Sequence, residues 1–347
     1  MSSLFAVEER VIADAERLLE GDELIGTDAQ QAYQLLFKEY KKLYKTTRRI
    51  MRLSDRNERE LQRLNQVAER ATSTLSRYFS PNLANAITRN RDFSEQSGER
   101  RDLTFLFTDL EGFTSLVERL DPKTTVKVLN DYLDNLTQIV YRHGGTTEKI
   151  VGDAVHVIFG APEEQSDQEQ RALACALAID DFAEKFKAQL NADGIALGST
   201  RIGVHAGPAM LGNFGGEIFF DYTAHGDAIN TAARLENANR FLGTRICASD
   251  AVVSHTENFV TRPVGRLLLA GKTQSIAVHE ALPNSAANTD WLAAYNSAYQ
   301  MLLEGNAVAK QAFAALVSER VNDQLAIFHL VRLLAGENGI EISLTKG

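Results

Sequence analysis

The chain has 347 residues, of which 44% are hydrophobic and 24% charged, and it carries a net charge of −9. That length gives room for roughly two domains with extensions, and the composition excludes a disordered chain. The acidic balance argues against a nucleic-acid binder. No apolar run approaches the ~18 residues of a membrane span and no N-terminal signal pattern is present, so a cytoplasmic protein is expected.

Residues 1–32 hold two short helical patterns broken near Gly21 and Gly26. From residue 33 the pattern sharpens. Tyr33, Leu36, Tyr40, Leu43, Thr47, Ile50, Ser54, Asn57, Leu61, Leu64, Ala68, Ala71, Leu75 and Tyr78 follow at alternating steps of three and four. This is the signature of a parallel coiled coil over residues 33–80. Thr47, Ser54 and Asn57 put polar groups mid-seam, where they fix register at a cost in stability. A single amphipathic helix lying on its own domain is the alternative. The basic run Lys41, Lys42, Lys45, Arg48 and Arg49 reads as a solvated helix face. Pro81 is expected to stop the helix, and residues 81–100 to link it to the next domain.

Residues 101–282 read as mixed α and β. Leu103, Phe105 and Phe107 alternate with Thr104, Leu106 and Thr108 in a buried strand that gives out at Asp109. A tight turn through Gly112 follows, and Thr114 can cap the next helix. Residues 123–143 are helical, and strands 147–151 and 154–159 meet through Gly152 and Asp153 in a hairpin that sets Asp153 at a loop tip. A helix over 172–190, a strand over 200–206, a hairpin-like mix over 213–223 and a helix over 228–242 come next. The last of these carries Asn230 and Arg234 one turn apart. Three strands near Arg245, Val264 and Ser275 complete the sheet.

Residues 288–336 resemble a single tetratricopeptide unit followed by one more helix, and one unit cannot bury its own apolar face. Packing on the preceding domain or on the N-terminal helices is therefore expected. Cys175 and Cys247 lie in apolar settings and read as reduced packing residues.

The stretch 265–273, GRLLLAGKT, has glycines spaced one residue too far apart for a phosphate-binding P-loop, and its leucines read as strand. No HExxH, CxxC pair or nucleophile elbow appears, so structural zinc and acyl transfer lack support. Two strand-end aspartates, Asn230 and Arg234, with Lys149, Arg201 and Lys272 at strand positions, suit phosphoryl chemistry. Carboxylates hold divalent ions and cations neutralise a polyphosphate.

FTDLEGFT at 107–114, KIVGDAVHVIFG at 149–160, RIGVHAGPAMLGNFG at 201–215 and DYTAHGDAINTAARLE at 221–236 resemble, in order and distance, the motifs of class III nucleotide cyclase catalytic domains. The resemblance implies an α+β fold with a ferredoxin-like βαββαβ core over residues 101–282, working as a head-to-tail homodimer with two equivalent interfacial sites. It implies that Asp109, Asp153 and the Leu110 backbone hold two magnesium or manganese ions. Arg201 and the backbone as far as Phe113 and Thr114 would bind the triphosphate, Asn230 would orient the ribose, and Arg234 would stabilise charge at the α-phosphate. Lys149 and Thr223 fall where the family reads the base. Lysine, able to donate to adenine N1, favours ATP, whereas guanylate-forming members carry glutamate. Thr223 replaces the commoner aspartate, as in a bacterial subgroup. The late phosphate-binding lysine is replaced by Ala270, leaving Lys272 as its possible substitute. The implied reaction is conversion of ATP to 3′,5′-cyclic AMP and pyrophosphate. A guanylate cyclase and a vestigial nucleotide-binding signalling module are the alternatives.

Overall fold

The structure, a computed structural model, describes residues 5–20, 28–75, 79–89, 98–216 and 220–344. The chain divides into two compact units, one ending at Thr74 and one beginning at Leu75.

In the first unit, α1 (Ala6–Glu20) is a single helix, and Gly21 and Gly26 lie outside the described residues. It packs on α2 (Asp28–Leu75), a 48-residue helix. The Tyr44 hydroxyl donates to Glu9 at 2.7 Å, and Arg48 donates to the same carboxylate at 3.3 Å. Lys41 pairs with Glu16. Part of the basic run is therefore held by α1 instead of facing water alone. The apolar seam of α2 stays uncovered within one chain, with Leu36, Leu43, Ile50, Leu61 and Leu64 all exposed. Tyr78, the last seam position, lies outside the described residues.

The expected linker contains a helix. α2 is described as far as Leu75, and Pro81 is the first residue of a further helix, α3 (Pro81–Arg89), a position where proline's missing N–H is harmless and its fixed φ is already helical. Leu83 and Ala84 are buried, and the Asn82 amide donates to Gly145 O at 3.0 Å.

Among the described residues, nine strands form one sheet. They are β1 (Gly98–Leu110), β2 (Thr146–Val151), β3 (Ala154–Phe159), β4 (Thr200–Gly215), β5 (Phe220–His225), β6 (Ile246–Ser249), β7 (Val260–Leu269), β8 (Ile276–Leu282) and β9 (Glu341–Leu344). The order is β2-β3-β1-β4-β6-β8-β7-β9, with β5 paired to β4. The run β2-β3-β1-β4 is antiparallel throughout and has the ferredoxin-like strand order. Its helices are α4 (Phe113–Val117), α5 (Pro122–Arg142), α6 (Gln168–Ala192), α7 (Asp227–Leu242) and α8 (Asp250–Val253).

Alternation along β1 explains why it is central. Leu106 enters the core beneath α5 and α6 with Tyr132, Leu136 and Ile179, while Leu103, Phe105 and Phe107 enter the core beneath α7 with Ala228 and Ala232. Both faces of the strand are thus buried. On the second face Gly203 of β4 lies under α7 so closely that a Cβ would strike the Glu236 amide and the Ala232 carbonyl. Only glycine admits the helix at that depth.

Beyond the core, α9 (Asp290–Leu303), α10 (Ala309–Glu319) and α11 (Gln324–Leu334) bury Tyr295, Phe313 and Leu325 against Leu235 and Leu242 of α7 and Val264 and Leu267 of β7. The helical unit therefore covers its apolar face on the sheet domain. Arg262 clamps the junction, donating to Glu280 at 2.6 Å and to Asp323 at 2.7 Å and lying over the Trp291 and Tyr295 rings. β9, absent from the sequence reading, adds to β7 in parallel.

Candidate active site

The two aspartates meet at one end of the sheet. β1 runs one residue past Asp109 to Leu110 before turning, and the hairpin between β2 and β3 lifts Asp153 beside it. The Asp153 carboxylate accepts from the Leu110 amide at 3.1 Å. Burial raises its pKa, and the neighbouring charge of Asp109 adds to the shift. Across the β1–β4 ladder Asp109 stands opposite Arg201, whose guanidinium donates to it and, at 3.1 Å, to Glu236. Burial opposes the Arg201 charge, but the hydrogen bond to Asp109 and the charge of Glu236 outweigh it and raise its pKa.

Glu236 was not anticipated from the sequence. It lies two residues beyond Arg234 on α7, turned toward the sheet, and burial pushes its pKa up to about 7. One guanidinium thus faces three carboxylates, which leaves the corner negative and suits a divalent cation. Two close carboxylates with the rest of the shell left to water and phosphate oxygens is how magnesium is commonly held, so the residues present fit that ion.

The turn differs from expectation in its details. Gly112, at φ 70°, is the residue before α4, so Thr114 lies inside that helix and does not cap it. The Leu110 amide is engaged by Asp153 and the Glu111 amide by Ser199 O at 3.0 Å. Of the expected phosphate-binding backbone, the amides of Gly112, Phe113 and Thr114 remain; the Phe113 side chain is buried in the core.

A second cluster forms where β2 faces β5. The Lys149 ammonium reaches Asp221 at 2.9 Å, and the Thr223 hydroxyl pairs with Glu148. Lys149 and Thr223, more than seventy residues apart in the chain, are thereby brought together. Neither acid was singled out from the sequence, although Glu148 precedes Lys149 directly and Asp221 lies on the same face of β5 as Thr223.

Asn230 and Arg234 occupy the outward side of α7, opposite Glu236. Arg234 lies against Gly271, where a Cβ would come within 3.2 Å of its guanidinium. In the turn after β7, Lys272 is bound to Asp227, the first residue of α7. Lys272 therefore lies beside the helix that carries Asn230 and Arg234, and Ala270 supplies no cation there.

A negative corner suited to a divalent ion, arginines nearby and a polar cluster on β2 and β5 are all mounted on a ferredoxin-like sheet. The adenylate and guanylate cyclase catalytic domain profile matches residues 95–280, more than half of the chain, and the chain belongs to that family. It is similar to Adenylate cyclase 1 of Rhizobium meliloti (strain 1021), at 32% identity over 227 residues, covering 64% of this chain and 34% of that protein. It is also similar to the adenylate cyclase of Anabaena cylindrica, at 30% identity over 184 residues, covering 52% of this chain and 36% of that one. The chain thus spans about a third of the length of these curated relatives. Among solved structures, the adenylyl cyclase CyaB from P. aeruginosa aligns with a TM-score of 0.50 at 30% identity, covering 54% of this chain and 96% of that one.

Proposed function

We propose that the protein is an adenylate cyclase that converts ATP to 3′,5′-cyclic AMP and pyrophosphate at the interface of a homodimer. The observation that carries this reading is the pairing of Asp109 and Asp153 at one sheet corner, with Arg201 between the metal-binding acids and α7. Magnesium or manganese ions held by Asp109, Asp153 and the Leu110 carbonyl would acidify the ribose 3′-hydroxyl and neutralise triphosphate charge.

This chain's own residues do the positioning. Arg201, already held by Glu236, supplies a fixed guanidinium to the triphosphate, and the amides at 112–114 add neutral donors. Asn230 orients the ribose. Arg234 offsets the charge that builds at the α-phosphate during in-line attack, and Lys272 adds a cation for the departing pyrophosphate. Lys149 donates to adenine N1, and Thr223 accepts from the 6-amino group.

The acidic corner belongs to one protomer, and the base-reading cluster serves the nucleotide held by its partner's acids. Each chain holds both halves, so a homodimer contains two equivalent sites and a single chain completes neither. A second copy would also cover the exposed seam of α2 as a parallel coiled coil that sets how the two catalytic domains meet.

Purified protein incubated with ATP or GTP and either metal ion, across protein concentrations, tests the proposal. Cyclic AMP from ATP, at a rate per chain that rises with concentration, is the expected result. Cyclic GMP as the main product, or no cyclic nucleotide with either metal, would overturn it.

A further inference from the structure

A threonine is an ambiguous reader of a base. Its hydroxyl carries one hydrogen and two lone pairs, so it can accept from the 6-amino group of adenine or donate to the 6-oxo group of guanine. Thr223 is 5% exposed, and its hydroxyl is paired with the Glu148 carboxylate. An ionised carboxylate only accepts, which leaves the threonine hydrogen directed at Glu148 and its lone pairs facing elsewhere.

The backbone is shaped to allow this contact. In a regular strand, neighbouring residues point to opposite faces. In β2 the register slips between Thr147 and Lys149, which pair with consecutive residues Val157 and His156 of β3 and leave Glu148 as the extra residue of a bulge. The bulge re-aims Glu148 so that it and Lys149 both reach β5, at Thr223 and Asp221. Burial raises the Glu148 pKa and the charge of Asp221 adds to the shift, while the Thr223 hydrogen bond and the Lys149 charge oppose it.

We propose that Glu148 is a specificity-determining positioning residue: by taking the Thr223 proton it fixes the hydroxyl as an acceptor, and so selects a 6-amino purine over a 6-oxo purine. Asp221 acts beside it by holding the Lys149 ammonium at 2.9 Å. The inference rests on the reading of Lys149 and Thr223 as the base-contacting pair.

The test compares kcat/KM for ATP and for GTP in the full chain, in Glu148→Gln, in Thr223→Val and in the double variant, with melting temperatures alongside. A glutamine amide can donate or accept, so in Glu148→Gln the hydroxyl is free to turn. The ATP-to-GTP ratio should fall about tenfold, largely through a gain with GTP, while Glu148→Asp, which keeps the acceptor, should retain the preference. In the Thr223→Val background the Glu148 change should have no further effect on the ratio. Should Glu148→Gln fail to fold, Glu148→Asn against Glu148→Asp gives the same contrast. An unchanged ratio in Glu148→Gln, or an equal fall with and without Thr223, would overturn the role of Glu148. A wild-type ratio in Thr223→Val would overturn base reading by Thr223, and absence of any cyclic product from the unaltered chain would overturn the cyclase proposal itself.

Discussion

Asp109 and Arg201 stand directly opposite each other on antiparallel β1 and β4, and the guanidinium is bound to the carboxylate. The same guanidinium donates to Glu236, so removal of Asp109 leaves Arg201 with a buried partner. Asp109→Asn is therefore expected to fold, with a melting temperature within about 3 °C of the parent. Cyclic AMP formation should fall ~10²-fold or more, because the cation loses one of its two acids. Product measured by chromatography, with thermal unfolding on the same sample, checks both halves; substantial retained activity would remove Asp109 from the reaction.

Lys149 and Thr223 are drawn together by the sheet, and their combined replacement should invert what they present to a base. Lys149→Glu with Thr223→Cys should move the preference toward GTP by at least about tenfold in the ratio of kcat/KM values. If ATP stays preferred to the same degree, these positions do not read the nucleotide.

The seam of α2 offers Leu43, Ile50, Leu61 and Leu64 to solvent within one chain. Changing all four to glutamine should leave the helix but weaken pairing between chains. Light scattering at micromolar concentration should then report monomer where the parent is dimeric, and activity per chain should fall on dilution. A variant that stays dimeric throughout would mean that the seam is not the interface.

His329 is fully buried, with its ring 5.0 Å from that of Phe313, and burial pushes its pKa down to about 3. In the unfolded chain the same ring takes up a proton near pH 6.5. Between those values the unfolded state binds one proton more, so stability is lost as pH falls below about 6.5, by up to ~1.4 kcal/mol per pH unit from this group. His329→Phe keeps an aromatic ring and removes the titration. Urea unfolding at pH 7.5 and 5.5 should show a smaller acid loss in the variant by ~1 kcal/mol; equal losses would show that the ring is not held neutral.

Much of the framework that carries the candidate site was legible because it lies in local signals. The alternation of β1, the glycine-aspartate hairpin and the one-turn spacing of Asn230 and Arg234 each follow from a few neighbouring residues. Glu148, Asp221 and Glu236 were missed for the opposite reason: each acts through a partner distant in sequence, at Thr223, Lys149 and Arg201. Helix α3 escaped notice because proline is a stop inside a helix and a start at its first position, and only its surroundings separate the two. β9 is four residues long, and its strand conformation depends on the open edge of β7.

The sequence by itself determined the periods: a 3.5-residue repeat for α2, alternation for the sheet, and four motifs whose order resembles one enzyme family. Those quantities depend on residue type and spacing along the chain. Tertiary structure alone decided which partner each acid meets. Glu236 reaches Arg201 because Gly203 lets α7 lie against β4, and Glu148 reaches Thr223 because a bulge turns it toward β5. Such contacts arise from the depth and register of packing between distant segments, and within the strands a shift of one residue would send a side chain to the other face.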